Sequence, residues 1–261
     1  MEFDQRVSLV SGSSSGLGKA AAISLAQGGA NVVLNGRSDK RLDRAVNEVD
    51  AVGSGTVMGV AGDLTDPDDI ERLVETTVDE FGRLDHLVSS AGGPPEGKLW
   101  DIDDAEMQDG FDLLVLRFIR LARAAGEPLA EDGGGTIVNI SSIGAKESLV
   151  SQGFGDTLHM APVGIAKILA RQLGPEVRVN TILPGLMETP RMREHIEAAV
   201  ERGDYDSYEA GLDSFASGAS LDRVGEPSEI GDAVAYLSSD RSSFITGVAL
   251  PVDGGITQSI V

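Results

Sequence analysis

The sequence predicts an α/β protein built on a doubly wound parallel sheet of about seven strands, with helices on both faces. Short apolar runs typical of buried strands alternate with helical patterns from one end of the chain to the other. A glycine-rich loop joins the first strand to the first helix. The 261 residues suffice for one large domain with a well-buried core, and no repeat or linker divides them. Residues 1–261 are therefore expected to form a single domain.

The elements follow one another in a regular order. The predicted strands are 7–10, 31–35, 57–60, 86–88, 136–140, 178–182 and 249–252. The predicted helices run through 20–22 and over 39–49, 67–81, about 104–130, 159–173 and 228–238. Pro162 removes a backbone N–H inside the fifth of these ranges, so that helix either includes the proline or begins nearer 160. Segments 93–100 and 186–222 break the alternation.

The charge of the chain is strongly unbalanced. The chain has 42 acidic and 21 basic residues, which gives a formal net charge of −21, and few of the basic residues are lysine. Such a chain repels nucleic acid and anionic membranes, so neither is expected as a partner. Self-repulsion of this size should destabilise the fold in dilute buffer and be relieved by salt. This composition is typical of halophilic proteins; the alternative is an acidic enzyme from a moderate environment.

Several classes of protein are excluded by residue usage. The absence of cysteine excludes disulfides, thiolate chemistry and cysteine-based zinc sites. The three histidines are scattered, which gives a metal site little support. No apolar run is long enough to span a membrane, and the first residues do not resemble a basic leader. A cytoplasmic location is expected.

The glycine loop at 11–18 predicts a dinucleotide site of the Rossmann type. Its G-x3-G-x-G spacing lies between a strand and a helix, where the backbone approaches a pyrophosphate and the helix start offers free N–H groups. The alternative is an ordinary strand-to-helix turn. The candidate cofactor residues of this loop are Gly12, Ser13, Ser14, Ser15, Gly16, Leu17 and Gly18.

The end of the second strand indicates which dinucleotide is bound. NAD sites place a carboxylate here for the ribose hydroxyls, whereas this strand ends in Asn35-Gly36-Arg37. The guanidinium of Arg37 suits bidentate pairing with a 2′-phosphate. The sequence therefore favours NADP over NAD; the alternative is a solvated surface arginine.

Residues 137–142 (Ile-Val-Asn-Ile-Ser-Ser), 169–175 and Pro184-Gly185 resemble the short-chain dehydrogenase/reductase family, and the resemblance extends over about 5–255. It implies hydride transfer between a nicotinamide cofactor and a carbonyl or alcohol. It also implies further cofactor contacts, with Asp63 at the adenine amino group and Ser90-Ala91-Gly92 ending a stretch that is Asn-Asn-Ala-Gly in the family. These implied contacts are Asp63, Leu64, Ser90, Ala91, Gly92, Pro184, Gly185, Met187 and Thr189.

The same resemblance implies an altered catalytic site. Ser142 matches the family's active-site serine. The family's tyrosine follows that serine by thirteen positions and its lysine comes four later, which places Gly155 and His159 there. The asparagine of the long helix corresponds to Leu114. Only the serine is kept, and Gly155 has no side chain that transfers a proton.

Three groups are candidates to replace the missing tyrosine and lysine. His159 lies one helical turn after 155 and titrates near neutrality, so it suits holding the ribose or passing a proton through water. Lys146 follows Ser142 by four residues and suits stabilising an oxyanion. A tyrosine of segment 186–222, Tyr205 or Tyr208, is a third possibility. The alternatives are a plain helix-start residue for His159 and a surface lysine paired with Glu147.

Two functions remain open. The first is an NADP-dependent carbonyl reductase or alcohol dehydrogenase whose proton route uses Ser142, His159 and water. Members similar to 3-oxoacyl carrier-protein reductases share the Ala-Gly-Gly-Pro-Pro of 91–95 and lack the same catalytic pair. The second is a catalytically inactive nucleotide-binding sensor or partner subunit. The resemblance further implies a substrate lid at about 186–222 and, through 221–255, a homodimer or homotetramer.

Overall fold

The computed structural model describes residues 1–93, 97, 99–131, 133–148 and 153–259, where all seven strands form one parallel sheet in the order β3-β2-β1-β4-β5-β6-β7. The strands are β1 (Val7–Val10), β2 (Asn31–Gly36), β3 (Val57–Ala61), β4 (His86–Ser89), β5 (Gly135–Ile140), β6 (Val177–Pro184) and β7 (Ala249–Val252). The strand order reverses between β1 and β4. The loops that follow these two strands therefore lead to opposite faces of the sheet, and the crevice between such loops is where doubly wound sheets bind ligands.

Helices cover both faces of this sheet, which confirms the predicted fold class. They are α1 (Gly16–Gln27), α2 (Asp39–Asp50), α3 (Pro67–Phe81), α4 (Asp104–Phe111), α5 (Arg117–Ala130), α6 (Gly153–Gln172), α7 (Pro190–Arg202), α8 (Tyr208–Ala216) and α9 (Pro227–Ser238). One apolar cluster lies under α1, α2 and α9, and a second lies under α3, α5 and α6. Neighbouring strand residues such as Leu9 and Val10 enter opposite clusters. Strands buried on both faces explain why the sequence shows continuous apolar runs.

Most predicted boundaries agree within one or two residues, but α6 begins earlier than expected. It starts at Gly153 rather than 159, so the suggestion that it begins nearer 160 is wrong. Pro162 lies inside the helix and is buried. Proline removes only one intrahelical hydrogen bond, the one to the carbonyl of Leu158, and the remaining turns of a 20-residue helix hold. Gly155 and His159 consequently lie one turn apart on the same helix.

The long helix predicted over 104–130 is interrupted by a π-turn. α4 ends at Phe111, a π-helical turn covers Asp112–Leu116, and α5 continues from Arg117. Such turns insert a residue into a helix and recur at functional sites. This turn directs Leu114 and Val115 into a small apolar cluster with Leu158 of α6.

Segment 186–222 is largely helical. Thr189 caps α7 by accepting a hydrogen bond from the amide of Met192, and Ser207 caps α8 in the same way through Ala210. Over the described ranges, none of the helices combines the length and apolar character that crossing a bilayer requires. Those ranges also hold no group of three or more histidine and carboxylate side chains suited to a metal ion.

Candidate cofactor and catalytic cleft

A cleft of about 580 Å³ opens between the loops that follow β1 and β4. It extends from the glycine loop and the end of β2, past the end of β4, to the start of α7. The sequence-predicted residues that line it are Gly12, Ser14, Ser15, Gly16, Leu17, Arg37, Asp63, Leu64, Ser90, Ala91, Gly92, His159 and Thr189. The structure thus brings together residues from six separate parts of the chain, as the dinucleotide prediction requires.

The predicted residues that do not line the cleft have other surroundings. Ser13 is buried under the glycine loop, where its hydroxyl donates to the carbonyl of Val10 at 2.6 Å. Met187 is buried and pairs with Gly225 in an isolated bridge. The predicted residues outside the lining are Ser13, Gly18, Ser142, Lys146, Pro184, Gly185 and Met187.

The glycine loop owes its shape to close backbone approaches. Gly12 has a φ of +57°, and a Cβ there would lie 2.6 Å from the carbonyl oxygen of Ser90. A Cβ at Gly18 would lie 2.5 Å from the carbonyl oxygen of Gly12. Helix α1 begins at Gly16, and its N-cap Ser15 makes no side-chain capping bond. The first amides of α1 therefore lack a side-chain cap, as at helix starts that bind phosphates.

The end of the cleft beside β2, where the adenosine is expected, is polar and cationic. The Asn35 amide donates to the carbonyls of Val60 and Gly62, so this side chain holds β2 to β3. The side chain of Arg37 is 74% exposed, and its guanidinium lies 3.8 Å from a carboxylate oxygen of Asp63. Arg41 of α2 also lines the cleft. Sequence reasoning missed Arg41, although a second arginine four residues after Arg37 was the available signal.

His159 lies beside Ser141 at the opposite end of the cleft. The Ser141 hydroxyl is 3.2 Å from Nδ1 of His159 and donates to the His159 carbonyl at 3.1 Å. The single hydrogen of the hydroxyl cannot serve both contacts; with that hydrogen directed to the carbonyl, Nδ1 carries a proton and donates it to Ser141, and Nε2 is an acceptor. Burial, together with the positive charge of Arg191, lowers the pKa of His159 from 6.5 to about 4. The imidazole is therefore neutral at pH 7.

Ser142 directly follows the cleft residue Ser141, Lys146 comes four residues later, and neither lines the cleft. Ser142 caps a short 3₁₀ turn, where its hydroxyl accepts a hydrogen bond from the amide of Gly144 at 3.1 Å. Burial raises the pKa of Asp253, but hydrogen bonds from Thr257 and Gly255 outweigh that effect, and the net shift is downward. The positive charge of Lys146 contributes to this lowering. Glu147 does not pair with Lys146. Its carboxylate accepts from the amides of Gln258 and Ser259 at 2.7 and 3.4 Å.

Tyr205 and Tyr208 of segment 186–222 do not contribute to the cleft lining formed by the described residues. The Tyr208 hydroxyl donates to Glu188 at 3.1 Å, and Arg193 lies over its ring at 4.8 Å. Burial and the hydrogen bond to Glu188 raise the pKa of Tyr208. Tyr205 packs near Gly211.

The cleft is cationic although the chain is acidic. Of the described residues, four arginines line it, Arg37, Arg41, Arg117 and Arg191, and one carboxylate, that of Asp63. A cleft of one charge sign with low-dielectric walls concentrates ligands of the opposite sign. Arg117 and Arg191 were not predicted, because only the tertiary structure brings α5 and α7 to this site. Dinucleotide-binding proteins are defined by a parallel sheet, a glycine loop and an anion-attracting crevice at the point where the strand order reverses, and this protein has all three.

Comparisons with known proteins agree with this class. Residues 12–257 match the sequence model of the family described as enoyl-(acyl carrier protein) reductase. The chain is 34% identical to dehydrogenase/reductase SDR family member 4 of Bos taurus, over 97% of this chain and 88% of that protein. It is 29% identical to a 3-oxoacyl-[acyl-carrier-protein] reductase of Thermotoga maritima, over 98% and 99%.

A solved structure is similar over its full length. L-sorbose reductase from Gluconobacter frateurii, complexed with NADPH and L-sorbose, superimposes with a TM-score of 0.94 at 30% identity and covers 100% of both chains. The chain therefore belongs to the short-chain dehydrogenase/reductase family of oxidoreductases. The family expectation drawn from residues 137–185 is confirmed.

Proposed function

We propose that this protein transfers hydride between NADP(H) and a carbonyl or alcohol substrate through an altered catalytic site. Ser142 is kept, while Leu114, Gly155 and His159 stand where the family has asparagine, tyrosine and lysine. The observation that carries the proposal is the cationic cleft, with two arginines at the adenosine end and the His159–Ser141 pair at the other. Anion attraction suits the cofactor, and a neutral imidazole suits proton handling.

NADP is proposed over NAD because of the residues around the ribose position. Arg37 and Arg41 offer two guanidinium groups to a 2′-phosphate, and the β2 end has no carboxylate for a ribose hydroxyl. The ion pair with Asp63 keeps the side chain of Arg37 near the cleft. The NADPH complex of L-sorbose reductase supports the same choice. The proposed cofactor set comprises the predicted residues that line the cleft, with Ser13, Gly18, Pro184, Gly185 and Met187 supporting them from behind.

Proton transfer is proposed to run through His159, Ser142 and water. When bound, the nicotinamide of NADPH supplies the hydride. Nδ1 of His159 is held by Ser141, so in alcohol oxidation Nε2 accepts, directly or through water, the proton that the hydroxyl loses. In carbonyl reduction the reverse transfer, from water hydrogen-bonded to Nε2, supplies the proton that the reduced oxygen takes up. The Ser142 oxygen accepts from Gly144, so its own hydrogen remains available to a substrate oxygen. Lys146 remains a further candidate for stabilising an oxyanion.

Three features of the whole protein belong to the same proposal. Residues 1–261 act as one domain in which α7 and α8, within 186–222, form a substrate lid. Subunits associate through 221–255 into a homotetramer or homodimer, in which small-molecule substrates are turned over. The protein works in a salt-rich cytoplasm, in keeping with its acidic composition.

Turnover and binding are tested together. NADPH binding is measured by fluorescence titration in molar salt, and NADPH oxidation is followed with a panel of ketones, aldehydes and 3-oxoacyl thioesters. His159→Ala should lower kcat by about 10²-fold or more, because a positioned proton-transfer group contributes about 10²–10⁴-fold. Gln172→Ala, at an exposed position of the same helix α6 and outside the cleft lining, serves as the control. Tight NADPH binding without turnover of any substrate would instead support the nucleotide-binding sensor, and absence of binding would contradict both.

A further inference from the structure

Arg117 is a buried cation at the floor of the cleft. It follows the π-turn as the first residue of α5, and it is only 3% exposed. Its Nε donates to the carbonyl of Leu113 at 2.8 Å. One terminal nitrogen donates to the Ser11 hydroxyl at 2.9 Å and to the Ser90 carbonyl at 2.8 Å, and the other reaches the Ser89 hydroxyl at 3.3 Å.

All of these partners are neutral. No carboxylate of the described residues lies within ion-pair distance of Arg117. Burial lowers the pKa of Arg117 to about 10, which leaves the side chain charged at pH 7. Burying a cation without a negative partner is unfavourable, and such groups are usually compensated by a counter-charge. The described part of the chain does not supply that counter-charge.

The position of Arg117 indicates what the counter-charge is. Ser11 ends β1 and leads into the glycine loop, whereas Ser89 and Ser90 end β4 and lead into Ala91-Gly92. These are the two segments that line the cleft at the point where the strand order reverses. Serines are small, and here they leave room for the guanidinium between the two strand ends. The charge therefore lies directly behind the backbone proposed to hold the dinucleotide.

We propose that Arg117 is a cofactor-positioning residue whose buried charge favours the pyrophosphate of the bound dinucleotide. Its guanidinium holds the ends of β1 and β4 together, and its positive charge is balanced when the phosphate groups enter the cleft. Because the surroundings exclude water, this attraction is screened less than it would be at the surface. The inference rests on the proposed binding of NADP(H), and it adds a residue that the glycine-loop pattern does not contain.

The test compares Arg117→Gln with Arg120→Gln. Arg120 lies three residues further along α5, and its guanidinium donates to the carbonyl of Thr65. Both variants replace an arginine with glutamine, so they change the net charge equally. Two probes are titrated: NADPH, and adenosine 2′-monophosphate, which carries the 2′-phosphate without a pyrophosphate. Arg117→Gln should weaken NADPH binding at least tenfold and leave adenosine 2′-monophosphate binding within twofold. Arg120→Gln should leave both within twofold.

Arg117→Lys separates charge from packing. It keeps the charge but loses the planar fork of donors, so NADPH binding should stay within threefold of wild type. Equal loss of both probes in Arg117→Gln, or equally weak NADPH binding by the lysine and glutamine variants, would mean a merely structural role and overturn the proposal. If the glutamine variant does not fold, the lysine variant decides alone, and a tenfold loss overturns the proposal.

The wild-type titration keeps the two proposals apart. A wild-type protein that binds no NADPH overturns the proposed function and this inference with it. A wild-type protein that binds NADPH, beside an Arg117→Gln variant that binds it equally well, overturns only the role of Arg117.

Discussion

The properties of His159 and of the two serines beside it, Ser141 and Ser142, depend on the residues that surround them. Ser142 is the serine that the family resemblance selects, yet Ser141 is the one in contact with His159. Burial and Arg191 keep the His159 imidazole neutral. His159 therefore cannot supply the positive charge of the family's lysine, whose position the resemblance assigns to it. The neutral imidazole is consistent with the proton-accepting role that we propose.

Arg37 should decide the preference for the phosphorylated cofactor. Arg37→Asp places a carboxylate at the end of β2, which repels a 2′-phosphate and suits ribose hydroxyls. We expect NADPH binding to weaken at least tenfold while NADH binding stays equal or improves, as measured by fluorescence titration. Arg44→Asp is the matched control, because Arg44 is an exposed arginine of α2 outside the cleft lining. Equal affinities for NADPH in wild type and Arg37→Asp would refute the assignment.

At the level of elements, the glycine loop is constrained by the strand beside it. Gly12→Ala places a Cβ 2.6 Å from the Ser90 carbonyl at a φ of +57°. We expect a loss of about 1–3 kcal/mol in unfolding free energy and a loss of NADPH binding, because a side chain there is both strained and obstructed. Denaturant unfolding measures the first quantity and titration the second.

Gly126→Ala is the control for this prediction. Gly126 lies inside α5, where an added Cβ meets only the Leu173 side chain at an ordinary 3.7 Å. Alanine should therefore stabilise the helix by about 0.5–1 kcal/mol. Unchanged stability and binding in Gly12→Ala would show that the loop shifts freely away from Ser90.

The order of the elements could be predicted because buried strands and amphipathic helices have distinct local patterns. β1, α3 and β7 have the predicted boundaries. The sequence pattern places the start of α6 too late, because the hydrogen bond lost at Pro162 is a local signal whereas the burial of Leu158 and Pro162 depends on the tertiary structure. The π-turn of Asp112–Leu116 was also missed, since packing against α6 rather than local propensity favours it.

For the molecule as a whole, mild acid should lower stability through buried histidine. Burial lowers the pKa of His86 from 6.5 to about 4. Between these values the unfolded chain binds a proton that the folded protein does not, so the stability is complete above pH 6.5 and falls as pH decreases toward 4. At about 1.4 kcal/mol per pKa unit, His86 accounts for about 3 kcal/mol.

His86→Leu tests this assignment. Nε2 of His86 is buried without a hydrogen-bond partner among the described residues, so leucine removes the titration and an unsatisfied nitrogen together. The stability lost between pH 6.5 and 4 should shrink relative to wild type, and His195→Gln, at an exposed position, should not change it. The comparison between variants cancels the general effect of the acidic surface. Identical pH dependence in wild type and His86→Leu would exclude His86 as the cause.

Salt should stabilise the protein, because its net charge of −21 is self-repelling. Raising NaCl from about 0.1 M to 1 M shortens the screening length from about 10 Å to 3 Å and should raise Tm. Glu71, Glu75 and Asp79 are exposed at i, i+4 spacing on α3, where like charges repel. Replacing them with the corresponding amides should reduce the salt dependence. A Tm that is independent of salt would argue against adaptation to a saline cell interior.

The sequence by itself determined the doubly wound sheet, the glycine loop and Arg37, because periodicity, glycine spacing and charge are local properties of the chain. Only the tertiary structure decided that Ser141 contacts His159 and that Arg117 lies against Ser11, since rotamers and the packing of distant elements set those contacts. For the same reason, residue patterns identify the family, whereas the proposed proton route depends on the tertiary surroundings of a few side chains.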